Sequence, residues 1–191
     1  MKNRAAISSG KPSRADLLAS EGKGLRDVVA PRLKVLFVGI NPGLYSGWSG
    51  HHFARPGNRF WRALHAAGFT ARVLHPSEQR ELLRNGYGVT NLVNRATATA
   101  DALAPAEFVA GRQHLAAKVR RYRPRIVAFL GMGAYCHAFA LKTTRPGRQG
   151  QRFEGATVWV LPNPSGLNAN YQLPALIKLF RQLWQQSSKS P

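Results

Sequence analysis

At 191 residues the chain can bury one proper core and is too short for two comfortable domains. Its 28 Lys and Arg against 8 Asp and Glu leave a formal charge of +20, which argues for a polyanionic partner; a merely solvated basic surface is the plainer alternative. The single cysteine, Cys136, excludes an intrachain disulfide framework, a cysteine-rich zinc site and a four-cysteine iron–sulfur cluster.

Residues 1–27 lack sustained periodicity and are rich in Ser, Lys and Arg, so they are expected to form a basic, flexible arm that adds nonspecific affinity for DNA. With no apolar h-region, no secretory signal is expected there. A continuous apolar run with β-branched residues over 33–39 predicts a buried strand that stops in Gly39-Ile40-Asn41-Pro42-Gly43. Residues 45–58, rich in Gly, Ser and His, read as a surface loop. Phe60, Trp61, Leu64 and Ala67 then recur at helical spacing over 59–67, with Asn58 as N-cap and Gly68 closing the helix.

Pro76-Ser77-Glu78 opens a short helix ending near Gly86, and 88–93 is a second strand. Residues 106–122 form an amphipathic helix with Phe108, Leu115 and Val119 inward, ended by Pro124. A third strand covers 125–131 and a helix covers 134–141. The stretch 142–152, with Lys142, Arg145, Arg148 and Arg152, reads as a basic loop. The last strand is 157–161, followed by Leu161-Pro162-Asn163-Pro164-Ser165-Gly166-Leu167 and an amphipathic helix over 173–185. Strand and helix alternate, so the expected fold is a three-layer α/β/α sandwich around a mainly parallel sheet, with the domain at 28–186 and a short tail at 187–191.

Both Asn-Pro turns follow strands, and in an open α/β sheet such positions converge on one crevice at the carboxyl ends. Two sets of residues, one at each turn, are therefore expected to be halves of one site. The six histidines show no ligand spacing, and Gly131-Met132-Gly133 lacks the rest of a nucleotide-binding fingerprint. No metal and no cofactor are expected. No apolar run approaches the roughly 18 residues needed to cross a bilayer, and a lone thiol suits a reducing cytosol. With so basic a chain, a cytoplasmic, nucleoid-associated location is expected.

Gly39-Ile40-Asn41-Pro42-Gly43, His52-Phe53-Ala54-Arg55-Pro56 with Asn58-Arg59-Phe60-Trp61, Gly88-Val89-Thr90-Asn91-Leu92-Val93, and Asn163-Pro164-Ser165-Gly166-Leu167 together resemble the mismatch-specific uracil/thymine DNA glycosylases. These belong to the uracil-DNA glycosylase superfamily, and the likeness runs over about residues 30–185. It implies a monofunctional enzyme that flips uracil out of mismatched duplex DNA and hydrolyses its N-glycosidic bond in base excision repair.

By that resemblance Asn41 positions the attacking water and Asn163 stands where faster relatives have a histidine near the uracil oxygen. Both amides imply slow catalysis, since neither titrates. Phe53 is expected to stack on the extruded base, and Ile40, Gly43 and Asn91 to border it. Glycine at 43, where stricter uracil enzymes carry a bulky aromatic, leaves room for thymine. Ser165 and Gly166 are expected on the phosphate backbone and Leu167 in the gap left by the flipped base. The arginine that relatives often carry two residues after the wedge is missing, so Asn168 or Asn170 is expected to face the widowed guanine. Asp101, in the loop after the second strand, is the carboxylate expected to serve as base; a plain solvated loop residue is its alternative. A monomer acting on a G·U duplex follows. Another lesion (hypoxanthine, xanthine, an adducted cytosine) or a noncatalytic DNA-binding module stays open.

Overall fold

The computed structural model describes residues 11–189. Four parallel strands and one antiparallel edge strand form a single sheet in the order β2-β1-β3-β5-β4. They are β1 (Val35–Gly39), β2 (Tyr87–Asn91), β3 (Ile126–Leu130), β4 (Gly147–Phe153) and β5 (Ala156–Leu161). Strand side chains alternate between faces, and each face has its own core. Val35 and Phe37 of β1 join α3 (Phe60–Ala67) and α6 (Leu173–Ser188) on one side. Leu36 and Val38 meet α4 (Pro105–Tyr122) and α5 (Met132–Phe139) on the other. This is the expected three-layer α/β/α architecture.

From β1 the chain passes to β2 on one side and returns to β3 on the other. A crevice therefore opens beyond the carboxyl end of β1, the place where such sheets bind ligands. All five residues are buried in each of β1, β2 and β3, and in β1 and β3 that burial on both faces accounts for the continuous apolar runs.

Three expectations are corrected. The segment 11–27 is not a free arm. Ser13 caps α1 (Arg14–Leu18) in a capping box with Asp16, Ser20 is fully buried and bonds to Leu44 O at 2.7 Å, and Leu25 is buried. Residues 1–10 lie outside the described residues. The expected loop 45–58 contains α2 (Leu44–Ser49), whose Ser- and Gly-rich sequence has weak propensity and which is held by contacts with α1 and by Ala54 N donating to Ser46 Oγ at 3.2 Å. The expected basic loop 142–152 becomes β4 from residue 147. An exposed edge strand needs no apolar alternation, and its arginines discourage edge-to-edge pairing. Smaller shifts also occur. Residues 76–85 form a 3-10 helix, α5 begins two residues early, and Arg59 is the N-cap of α3 while Asn58 Oδ1 accepts from Phe60 N at 2.9 Å.

Candidate active site

A cleft of about 370 Å³ lies over the carboxyl ends of β1, β2 and β5. It brings together Ile40, Asn41, Gly43, Phe53, Asn91, Asp101, Asn163, Ser165, Leu167 and Asn168, which the sequence placed at five separate points of the chain. Of the expected residues, Gly166 borders neither cavity at this end of the sheet. Asn170 borders an adjoining cavity of about 510 Å³ that shares Ile40, Asp101, Asn163 and Asn168 with the first. Tyr45 and Trp48 pack on each other at 5.4 Å and line neither.

The two asparagines are oriented in opposite senses. Asn41 Nδ2 donates to Thr97 Oγ1 at 2.7 Å, Arg95 O at 2.9 Å and Pro42 O at 3.1 Å. Two of these are carbonyls, which can only accept, so the amide orientation is determined and Oδ1 is left as the acceptor. At the other turn Asn163 Oδ1 accepts from Ser165 N at 3.0 Å, which closes the Asn-Pro-Ser turn and leaves Nδ2 as a donor without a partner among the described residues. One wall thus offers an acceptor and the other a donor.

Phe53 sits on Phe60, ring centroids 4.1 Å apart, and also borders the cleft. Its φ of 52° is a left-handed conformation that costs a bulky residue about 1–3 kcal/mol. The expected stacking residue and the alternative of an aromatic folded onto the core therefore coincide: the ring is seated by the core and turned to the cavity.

Asn91 is buried beside Gly39, where a Cβ would come within 2.5 Å of Asn91 Oδ1, so only glycine leaves room for this amide at the end of β1. Its Nδ2 lies 3.5 Å from His52 Nδ1, while His52 Nε2 is 3.2 Å from Arg26 O. A carbonyl requires the proton on Nε2, which leaves Nδ1 to accept from Asn91. Burial keeps this imidazole neutral, its pKa pushed down to about 4 despite the Arg26 carbonyl and the Asp27 charge.

Asp101, in the 3-10 turn Ala100–Ala102, is exposed at the rim with no hydrogen-bonded partner among the described residues, and it is the one carboxylate lining the cleft there. Leu167 is 68% exposed, the most exposed large apolar side chain described. Asn168 is committed within its own loop: Nδ2 donates to Asn163 O at 2.9 Å and Oδ1 accepts from Asn170 N at 3.1 Å. Each end of this amide keeps one further hydrogen-bonding position, an N–H and a lone pair.

Three further residues of the site have no role legible in the sequence. His52 and Arg59 lie inside the motifs given above and Thr97 in none, but nothing local shows that the partners of Arg59 are more than 100 residues away. Among the described residues no three His, Cys, Asp or Glu side chains converge as a metal-binding group. No helix there is long and apolar enough to cross a membrane.

The family model of the Uracil DNA glycosylase superfamily matches residues 26–187. The fold is also similar to the solution NMR structure of a candidate uracil DNA glycosylase from Methanosarcina acetivorans. That match has a TM-score of 0.58 at 20% identity and covers 85% of this chain and 98% of the other.

Proposed function

The chain belongs to the Uracil DNA glycosylase superfamily, a class of DNA-repair hydrolases, and from that premise we propose that it is a monofunctional glycosylase releasing uracil from G·U mismatches in duplex DNA. The observation that carries this reading is the opposed orientation of Asn41 and Asn163 across one cleft. Cleavage of the bond between the base and the anomeric carbon puts positive charge on the sugar and negative charge on the departing base. An acceptor is needed for a water on the sugar side and a donor for the base oxygen.

Asn41 Oδ1 orients the water against the anomeric carbon. The C–N bond breaks, the electron pair leaves with the base, and Asn163 Nδ2 hydrogen-bonds the oxygen on which that charge collects. Asp101 takes the proton released by the water. Phe53 stacks on the flipped ring, Ile40 and Asn91 border its edge, and Leu167 fills the gap in the duplex. Ser165 and Gly166 meet the phosphate backbone, to which the charge of +20 draws the protein. No lysine lines the cleft among the described residues, which supports hydrolysis without a Schiff-base strand-cleavage step. The enzyme acts as a monomer, without metal or cofactor, in the cytoplasm.

Two features favour tolerance of bases larger than uracil. Open space surrounds the Cβ position of Gly43, and the adjoining cavity shares Ile40, Asp101, Asn163 and Asn168 with the cleft. Thymine opposite guanine is the first such substrate to try, with hypoxanthine, xanthine and an adducted cytosine after it.

The test is base release from a labelled duplex carrying one central G·U pair, with wild type and Asn41→Ala compared before and after alkali. Strand cleavage that appears only after alkali and disappears in the variant is the expected result. Unchanged activity in Asn41→Ala sinks the assignment of Asn41. Salt-sensitive binding with no free base from any lesion duplex leaves a noncatalytic DNA-binding module.

A further inference from the structure

Arg59 is 7% exposed, yet among the described residues every hydrogen-bond partner of its guanidinium is a neutral oxygen. It donates to Ser165 O, to Tyr171 O at 2.7 Å, to Asn168 O at 2.8 Å and to Gln172 Oε1 at 3.2 Å. Its own N–H donates to Pro164 O at 2.9 Å, and its buried Nε has no partner among the described residues. A buried guanidinium without a carboxylate is costly to fold, and an apolar residue of similar volume would be cheaper. The oxygens it gathers are not scattered. They come from 164, 165, 168, 171 and 172, on both sides of the exposed Leu167. The same loop is pressed against the segment before Arg59, where a Cβ on Gly166 would come within 2.7 Å of Gly57 O.

We propose that Arg59 is the positioning residue of the wedge loop: one side chain clamps residues 164–172 in a single conformation, so that Leu167 enters the duplex without first being ordered. This rests on the glycosylase reading. A loop fixed beforehand does not have to lose its freedom when the base is flipped. The peptide geometry adds a second effect. A trans peptide that turns the Ser165 carbonyl toward Arg59 turns the Gly166 N–H away from it, as the Asn168 carbonyl does for the Ala169 N–H. The charge polarises these peptides, which makes their outward N–H groups better donors to a phosphate.

Arg59→Lys tests this, because it keeps the charge and removes the fork. Amide hydrogen exchange at 165–168 is expected to rise about tenfold with exchange in β3 unchanged, the effect of losing charge-assisted bonds in one loop. Exchange that stays the same, or rises throughout the protein, overturns the clamp. The second measurement is a double-mutant cycle on single-turnover base release from the G·U duplex. Arg59→Lys should slow the wild type about tenfold but the Leu167→Ala protein less than twofold, since the clamp acts through the side chain already removed. An equal penalty in both backgrounds overturns the role in flipping. Wild-type protein that releases no base from any lesion duplex overturns the glycosylase reading instead, and the exchange result then decides the clamp by itself.

Discussion

Asn41 Nδ2 and Thr97 Oγ1 are hydrogen-bonded at 2.7 Å although 56 residues separate them in the chain. Thr97 in turn donates its hydroxyl to Thr99 O at 2.7 Å, so it has only a lone pair to offer Asn41. Together with the Arg95 and Pro42 carbonyls, it surrounds the nitrogen with acceptors. An amide satisfies this setting and a carboxylate cannot. Asn41→Asp would turn an oxygen toward three acceptors, which costs about 1–3 kcal/mol for each buried group left unpaired. A lower melting temperature for Asn41→Asp than for Asn41→Ala is expected by calorimetry. The more basic side chain should bring no gain in single-turnover rate, because it is displaced from the pose that holds the water.

His52 makes stability depend on pH. The unfolded imidazole titrates near 6.5 and the folded one near 4, so between these values only the unfolded chain binds the proton. The contribution is complete above pH 6.5 and falls as the pH drops toward 4, by as much as about 3 kcal/mol. Urea midpoints from pH 7.5 to 4.5 should show that slope in wild type, and the difference between wild type and His52→Gln isolates it. Parallel pH curves for the two proteins would contradict the buried neutral imidazole.

Gly43→Tyr should change selectivity and not folding. Nothing lies within 4 Å of the Cβ position, and the backbone φ of −75° suits any residue. The melting curve should move by no more than about 0.5 kcal/mol. Thymine release should fall at least about tenfold relative to uracil, because the aromatic ring fills the space the methyl group needs.

Leu167→Ala removes a side chain that supports no core, so stability should again change by less than about 0.5 kcal/mol. Base release from a G·U duplex should fall about tenfold, because nothing then fills the gap behind the flipped nucleotide. Retention of the full rate would remove Leu167 from the flipping step.

Asp101→Asn measures how much a proton acceptor matters. The carboxylate is exposed and unanchored, so a loss of about tenfold is expected, below the roughly hundredfold to ten-thousandfold usual for a positioned general base. A rate equal to wild type would assign the proton to bulk water.

The sequence by itself determined the layers and the two ends of the site. Continuous apolar runs locate β1, β3 and β5 because strands buried on both faces have no polar side to show. The Asn-Pro turns locate the cleft because topology puts the ends of parallel strands together. The charge of +20 already pointed to a polyanion. What only the tertiary structure decided is which way each amide faces, how α2 and the segment 13–27 are held, and who braces the wedge loop. Asn41 and Asn163 look alike in the chain, yet one is turned mainly by the Arg95 carbonyl and Thr97 hydroxyl of a distant loop and the other by the next turn of its own backbone. Arg59 looks like a surface cation beside Asn58, and only the fold encloses it among five oxygens of the wedge loop. Apolar periodicity records burial on regular elements, whereas a hydrogen bond across some hundred residues leaves no local pattern to read.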